Sequence, residues 1–496
     1  MLPTFLGLET ARRSLHAQRL ALEVAGHNIA NANTPGYSRQ VARLAATAPW
    51  EFPGINRSTL AGHVGTGVHV KQIVRMKNDF IQHQMNVETQ AQGYWETRGE
   101  ILRQIELTFG EPSDVGIRSA IDLFWESLQE LSQNPESLTI RTVVRERALA
   151  MADTIRATYQ QLASLRDRLD SEVRSKVGEI NALGAQIAAV NKEIVAALSV
   201  KDLPNDLLDR RDQLIAQLSK LTDIRVVERS GSLIAVTIGG VTLVDGFESR
   251  SIVAVDLNND GFAELRWEGT GLEVTTRSGA LHALIEGRDQ EIPSYIEQLN
   301  ELARTLITRV NEVHREGYGL GETFDPGQYQ PFNPDGEPAP APAGRNFFKD
   351  ASDDPSYVER AAELIALADA IMTDPGNIAA SRNGAVGDGD NALRLAQLKH
   401  ERMYHDGKAT PTDYLAAIVS GLGVDAQEAE RMIEHQGVLL GHLEQLNLSV
   451  SGVSLDEEMT NLIQFQHAYA AASRLVTTLD EAIDIIINRM GLVGRG

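Results

Sequence analysis

Gly26–Gln40 reads G-H-N-I-A-N-A-N-T-P-G-Y-S-R-Q, and its punctuation decides how the chain is organised. Upstream, from about Phe5 to Ala30, Leu8, Leu15, Leu22 and Ile29 recur every seven residues, with Ala11, Gln18 and Ala25 three positions after them. That spacing predicts an amphipathic helix with a narrow seam. A second row of small or polar residues packs closely on another helix but is weak alone, because an isolated helix is costly to nucleate. Asn28, Asn31, Asn33, Thr34, Pro35, Gly36 and Tyr37 are expected to stop this helix and turn the chain. Asn tolerates the left-handed conformation that ends helices. Pro35 pushes Thr34 towards extended geometry, and Gly36 suits the positive φ of a type II turn. Tyr37 offers an anchor beyond the turn.

The far end of the chain carries the same signature. Leu455, Leu462, Tyr469, Val476, Ile483 and Met490 are spaced by seven, and Phe465, Ala472, Leu479 and Ile486 fall three after the matching members. Ser454 is the expected N-cap, with Glu457 completing a capping box. Two heptad helices therefore bracket everything else. They can pair with each other and with the ends of neighbouring subunits while the middle stands clear.

The middle reads as mainly helical with an inserted β region. Residues 38–70 look extended, with V-G-T-G-V-H-V a strand. Helices are expected over about Asn78–Phe109 and Ile117–Gln133, with Glu111-Pro112-Ser113 as a break between them. A very long helical region starts near Leu138. Ile155, Leu162 and Leu169 keep a seven-residue spacing, as do Val173, Ile180, Ile187 and Ile194 after a slip of four, a stutter in a coiled-coil-like bundle. Pro204 ends it, and L-P-N-D-L-L-D-R-R-D leads into helix up to Leu221. Then the period changes. I-R-V-V-E-R, S-L-I-A-V-T-I and V-T-L-V are short β-branched runs punctuated by Gly. Helix returns over about Gly279–Glu316, a Pro-rich loop covers 325–345, residues 347–379 are mixed, and helices follow over Asn391–His405, Pro411–Leu422 and Gln427–Asn447. The expected organisation is thus paired terminal helices at 1–40 and 448–496, a helical bundle at 41–222 and 279–447, and a small outer β-rich insert at 223–278.

Composition narrows the function. The chain has 496 residues, enough for roughly two to four domains. Its hydrophobic share of 42% supports packed cores. A formal net charge of −22 argues against general binding to nucleic acid or to an anionic membrane. No cysteine is present, which excludes disulfides and thiolate metal sites. No run of apolar residues is long enough to span a membrane. The first residues lack a basic stretch ahead of an apolar run, so no cleavable signal peptide is expected.

Residues 20–40, L-A-L-E-V-A-G-H-N-I-A-N-A-N-T-P-G-Y-S-R-Q, resemble the N-terminal signature of the flagellar rod, hook and hook-associated axial proteins. The P-G-Y-S-R-Q ending is most similar to the hook-associated protein 1 (FlgK-type) family. Residues 451–484, S-G-V-S-L-D-E-E-M-T-N-L-I-Q-F-Q-H-A-Y-A-A-A-S-R-L-V-T-T-L-D-E-A-I-D, resemble the C-terminal signature of that family, and L-P-N-D-L-L-D-R-R-D is a further internal match. The resemblance implies a structural subunit of the hook–filament junction, extracellular and secreted by the flagellar type III apparatus without cleavage. It implies self-assembly through the terminal helices in an inner layer, with central domains facing outward. Implied partners are hook protein below, a second junction protein and the filament side above, and a cytoplasmic export chaperone on the C-terminal helix. Alternatives are a rod or hook subunit, or a coiled-coil scaffold that is not exported.

The remaining candidate sites read as ordinary structure. His63, His69 and His83 show no metal-ligand spacing. G-D-G-D-N at 387–391 lacks the twelve-residue calcium-loop pattern and reads as a turn into a helix capped by Asp390 or Asn391. Asp209–Asp212, D-R-R-D, reads as a solvated charged face. G-x-S-x-G, the Walker A loop and H-E-x-x-H are missing from the sequence. The expectation is therefore no catalysis, no metal and no cofactor.

Overall fold

The computed structural model describes residues 5–48, 65–110, 116–200, 202–229, 232–320 and 344–489. In chain order the helices are α1 (Leu6–Ala30), α2 (Asp79–Phe109), α3 (Ile117–Gln133), α4 (Leu138–Ser199), α5 (Asn205–Leu221), α6 (Ala280–Glu286), α7 (Ile292–His314), α8 (Ala361–Leu364), α9 (Asp369–Thr373), α10 (Asp390–Gln397), α11 (Pro411–Ser451) and α12 (Leu455–Asp484). The strands are β1 (Gln40–Ala46), β2 (Val68–Arg75), β3 (Ile224–Glu228), β4 (Ile234–Ile238), β5 (Val241–Asp245), β6 (Glu248–Ser249), β7 (Ile252–Val255) and β8 (Glu264–Trp267).

α4 is the spine. Its 62 residues are rich in Ala, Leu, Arg and Glu, all strong helix formers. Ser137 caps its start by accepting from Ile140 N. Ile155, Leu162, Leu169, Val173, Ile180, Ile187 and Ile194 are each at most 3% exposed. The four-residue slip keeps the apolar stripe turned inward on both sides of it. Around α4, the lower part of α2 and helices α3, α6, α7 and α10 close one continuous hydrophobic core. β3-β4-β5-β6 form an antiparallel meander and β7-β8 a separate antiparallel pair. Their inward residues, among them Val236, Ile238, Leu243, Ile252 and Trp267, join that same core.

The terminal helices stand outside it. α1 and α12 pack on each other, and none of their residues belongs to the main core. They run antiparallel, with Gly7 beside Leu479 at one end and Asn28 bonded to Glu458 at the other. The β1–β2 hairpin, paired from Gln40↔Arg75 to Ala46↔Val68, lies along α1.

Several expectations need correction. Residues 411–451 form one helix rather than two separated around Gly423, because burial of Leu422 and Ala429 on one side carries the helix through. No asparagine in the opening stretch is left-handed: Asn31 closes α1 at φ −103°, and Gly36 alone there has positive φ, at 74°. Ser454 does cap α12, but Glu457 forms no box with it; its carboxylate pairs with Arg39 instead. Asp388, not Asp390 or Asn391, organises the turn before α10, accepting from Ser381 Oγ, Arg382 N, Asn383 N and Asp390 N. Asp209–Asp212 is not a solvated face, since Asp209 and Arg211 are each 6% exposed. Met490, His63, the break at 111–113 and most of the 325–345 loop lie outside the described residues.

Candidate assembly site at the root of the terminal helices

Along α1 the buried positions are Ala11, Ala17, Ala21, Val24, Ala25 and Asn28. The small residues sit innermost, which lets the two backbones approach closely. Leu8, Leu15, Leu22 and Ile29 flank this seam and are only half-buried. On α12, Ala472 is buried, Leu462, Phe465, Val476, Leu479 and Ile483 are half-buried, and Leu455 and Tyr469 are exposed, as is Ile486 just beyond its end. The predicted heptad row is therefore split between an inner and an outer face. Met459, Ile463, Leu475, Ile485 and Ile487 add to the exposed apolar surface. Among the described residues, nothing covers that surface.

Where α1 ends, a buried polar network binds the pair to the body. Asn28 is fully buried. Its Oδ1 accepts from Gln40 N at 2.9 Å and from Tyr37 Oη at 2.8 Å. Its Nδ2 donates to Gln40 O at 2.8 Å and to Glu458 Oε2 at 3.1 Å. The hydrogen-bonding capacity of the amide is thus filled. Glu458, 3% exposed, also accepts from Arg39 Nε at 2.7 Å. A carboxylate buried this deeply needs such pairing. Tyr37 lies 2.9 Å from His27 Nδ1. Burial first, and then the carboxylates of Asp206, Asp209 and Glu458, push the Tyr37 hydroxyl above its usual pKa, so it stays a proton donor.

The turn itself is built from Asn31 and Thr34. Asn31 Nδ2 donates to His27 O, Thr34 N donates to Asn31 O, and Tyr37 N returns to Thr34 O across Pro35 and Gly36. Asn33 is exposed. A Cβ on Gly36 would lie 2.2 Å from Gln213 Nε2, the movable end of a side chain that donates to Pro35 O, so it is the positive φ that calls for glycine there.

α5 receives the turn. Asp206, Asp209 and Asp212 recur every three residues on one face of its first turns. Asp206 Oδ1 accepts from Gln40 Nε2 and Asp209 Oδ2 from Ser38 N, both at 3.0 Å. Arg75 bridges Asp209 and Asp212 at 2.6 and 3.1 Å, and Lys77 reaches Asp212 at 2.8 Å. Asn205 Nδ2 donates to Gln40 Oε1 at 3.0 Å. Burial lowers the pKa of Arg211, which donates to Asn191 Oδ1 and Ser232 O. Sequence reasoning missed Arg39, Gln40, Arg75, Asn205, Asp209 and Glu458 as members of one network. The available signal was the acidic row on α5 opposite a basic hairpin end.

Three family models match this chain. The model described as flagellar hook-associated protein FlgK helical domain matches residues 102–328. That for the flagella basal body rod protein matches 8–37, and that for the flagellar basal body rod FlgEFG protein C-terminal region matches 444–490. Flagellar hook-associated protein 1 of Bacillus subtilis is 35% identical over 526 residues, covering 100% of both chains. The protein of that name from Escherichia coli is 25% identical, covering 97% of this chain and 99% of its own. Among solved structures, the flagellar hook junction protein FlgK from Burkholderia pseudomallei aligns with a TM-score of 0.61 at 19% identity, covering 74% of this chain and 100% of that one, which supports the same fold.

Proposed function

Since this chain belongs to the flagellar hook-associated protein 1 family, we propose that it is a structural subunit of the bacterial flagellum, forming the hook–filament junction by self-assembly through α1 and α12. The observation that carries this reading is the unpartnered apolar face of a helix pair that stands outside the main core. Contiguous exposed apolar surface of this kind marks interaction sites. Burying such side chains is worth on the order of 1.5–3 kcal/mol each, and a ring of neighbouring copies would supply that burial. The Asn28–Glu458 network would hold every subunit's terminal pair at one angle to its body, so that each body leaves the ring at the same radius. Hook protein below and a second junction protein with the filament above are the expected neighbours. Before assembly α12 needs cover, which an export chaperone would provide, and the flagellar type III route would carry the chain out uncleaved. No catalytic role is assigned.

Electron microscopy of the purified protein mixed with isolated hooks whose tips are bare tests this. The expected result is decoration confined to the distal end, lost when the residues after Ser454 are removed. A tube that keeps lengthening would point to a rod or hook subunit. A folded, full-length protein that decorates nothing would favour the unexported scaffold.

A further inference from the structure

The amide of Asn28 fixes where the protons around it sit. Its Oδ1 accepts from Gln40 N and its Nδ2 donates to Gln40 O, two backbone groups whose roles cannot be exchanged. The amide therefore has one orientation. Tyr37 Oη, 2.8 Å from that Oδ1, must point its single hydrogen there. The phenol oxygen can then only accept, so His27 Nδ1, 2.9 Å from it, is the donor. Neutral His27 thus carries its hydrogen on Nδ1 and a lone pair on Nε2.

That lone pair looks towards a carboxylate. Asp206 Oδ2 lies 3.9 Å from His27 Nε2, while Asp206 Oδ1 is held by Gln40 Nε2 at 3.0 Å. A second proton, on Nε2, turns the contact into an ion pair between the last turn of α1 and the first turn of α5. The surroundings favour that charge. Around Tyr37 stand the carboxylates of Asp206 and Asp209 on α5 and Glu458 on α12, and Glu23, one turn back on α1, is paired with Arg19. Arg39 is engaged by Glu457 and Glu458, Arg75 by Asp209 and Asp212, and Lys77 by Asp79 and Asp212. Exposed Arg210, one turn beyond Asp206 on α5, opposes the charge. A cation in the last turn of a helix is itself favoured by the helix dipole. The His27 and Asp206 side chains are 42% and 69% exposed, so protons reach the ring freely and the pair has the modest strength of a solvated contact.

We propose that His27 is a proton-operated latch: on taking a second proton, its ring ties the end of α1 to Asp206 and tightens the seat of the terminal helices on the body. The ion pair exists only while α1 is seated, so a proton on the ring favours the seated state. Histidine is the side chain whose charge changes between pH 5 and 8, so the latch closes on mild acidification. His314 acts in the opposite sense, because its enclosure makes the folded body lose stability in acid. The use of the latch rests on the assembly reading, in which the seat sets the angle of the terminal pair; the proton response itself does not.

Hydrogen exchange on the full-length monomer tests this. Amide protection at 28–40, corrected for the intrinsic rate at each pH, is expected to rise about two- to fivefold between about pH 7.5 and about pH 5.5, the range set by an exposed ion pair and the titration of histidine. His27→Gln keeps a donor for Tyr37 but takes up no proton. Asp206→Asn keeps an acceptor for Gln40 but loses the charge. Either change should leave protection at 28–40 flat across that range. Nitrogen NMR of histidine-labelled protein, with the His27 signals assigned by their loss in His27→Gln, should show the neutral ring as the Nδ1–H tautomer. Protection that is flat or falls in the native protein, a rise that survives either substitution, or a neutral ring protonated on Nε2 overturns the latch. Decoration of bare hooks is scored separately, so a working latch in a protein that decorates nothing counts against the junction reading alone.

Discussion

α4 and α12 carry the same seven-residue signature and meet opposite surroundings. In α4 every heptad member from Ile155 to Ile194 is at most 3% exposed. In α12 Ala472 is the one buried apolar residue, while Leu455 and Met459 are half-exposed or more. Heptad spacing thus tells which side of a helix seeks a partner. It does not tell whether the partner is in the same chain. The partner of α4 is the rest of the molecule; α12 has α1 along one side and an open face on the other.

The largest expected effect breaks the comparison at its strong end. Ile180→Ala should lower stability by about 2–5 kcal/mol, the cost of a cavity in a closed core, read as a shifted denaturant midpoint with an unchanged slope. If it behaves like a surface change, α4 is not the spine.

Acid should attack the same region next. His314 is fully enclosed, with Nδ1 2.8 Å from Arg345 O and Nε2 accepting from Ala379 N. Burial lowers its pKa from 6.5 to about 4. The unfolded chain therefore binds the proton first. Stability from this group is present above pH 6.5, falls as pH drops through that value, and is gone below about 4, a loss of about 3 kcal/mol. His314→Gln should flatten that part of the stability profile in thermal melts taken from pH 7 to pH 4.

The junction network lies between the extremes. Asn28→Ala leaves Gln40 N and Glu458 Oε2 short of partners and should cost about 1–3 kcal/mol. Faster amide exchange at 28–40 and 455–460, with exchange in α4 unchanged, is the expected pattern. Equal acceleration everywhere would mean that the network holds the whole fold rather than the attachment of the terminal pair.

At the weak end, Ile463→Ala on the outer face of α12 should change monomer stability by about 0.5 kcal/mol or less. If that face is the assembly surface, the same change should cut hook-tip decoration sharply. Stability loss comparable to Ile180→Ala would erase the contrast between the two helices.

Much of this was legible in sequence because it rests on local rules. The limits of α3 and α5, the inward stripe of α4 across its slip and the turn at Pro35-Gly36 follow from periodicity, capping and allowed dihedrals. The network was not legible. Asn28 sits two residues before the last residue of α1 and reads as part of a stop signal, yet its side chain joins segments more than 400 positions apart. Asp209 looked solvated because an acidic row on a helix usually is; the hairpin that brings Arg75 to it is distant in sequence. The stretch 423–426 misled in the opposite sense, reading as a gap between two helices where packing on α2 keeps α11 whole.

The sequence by itself therefore determined most of the elements, the inward side of α4 and the presence of two heptad ends, since propensity and spacing act over a few residues. Only the tertiary structure decided which polar groups meet at the root of the terminal helices, which heptad closes on its own chain and which stays open. Those outcomes depend on where water is excluded, and that is settled when distant segments pack together.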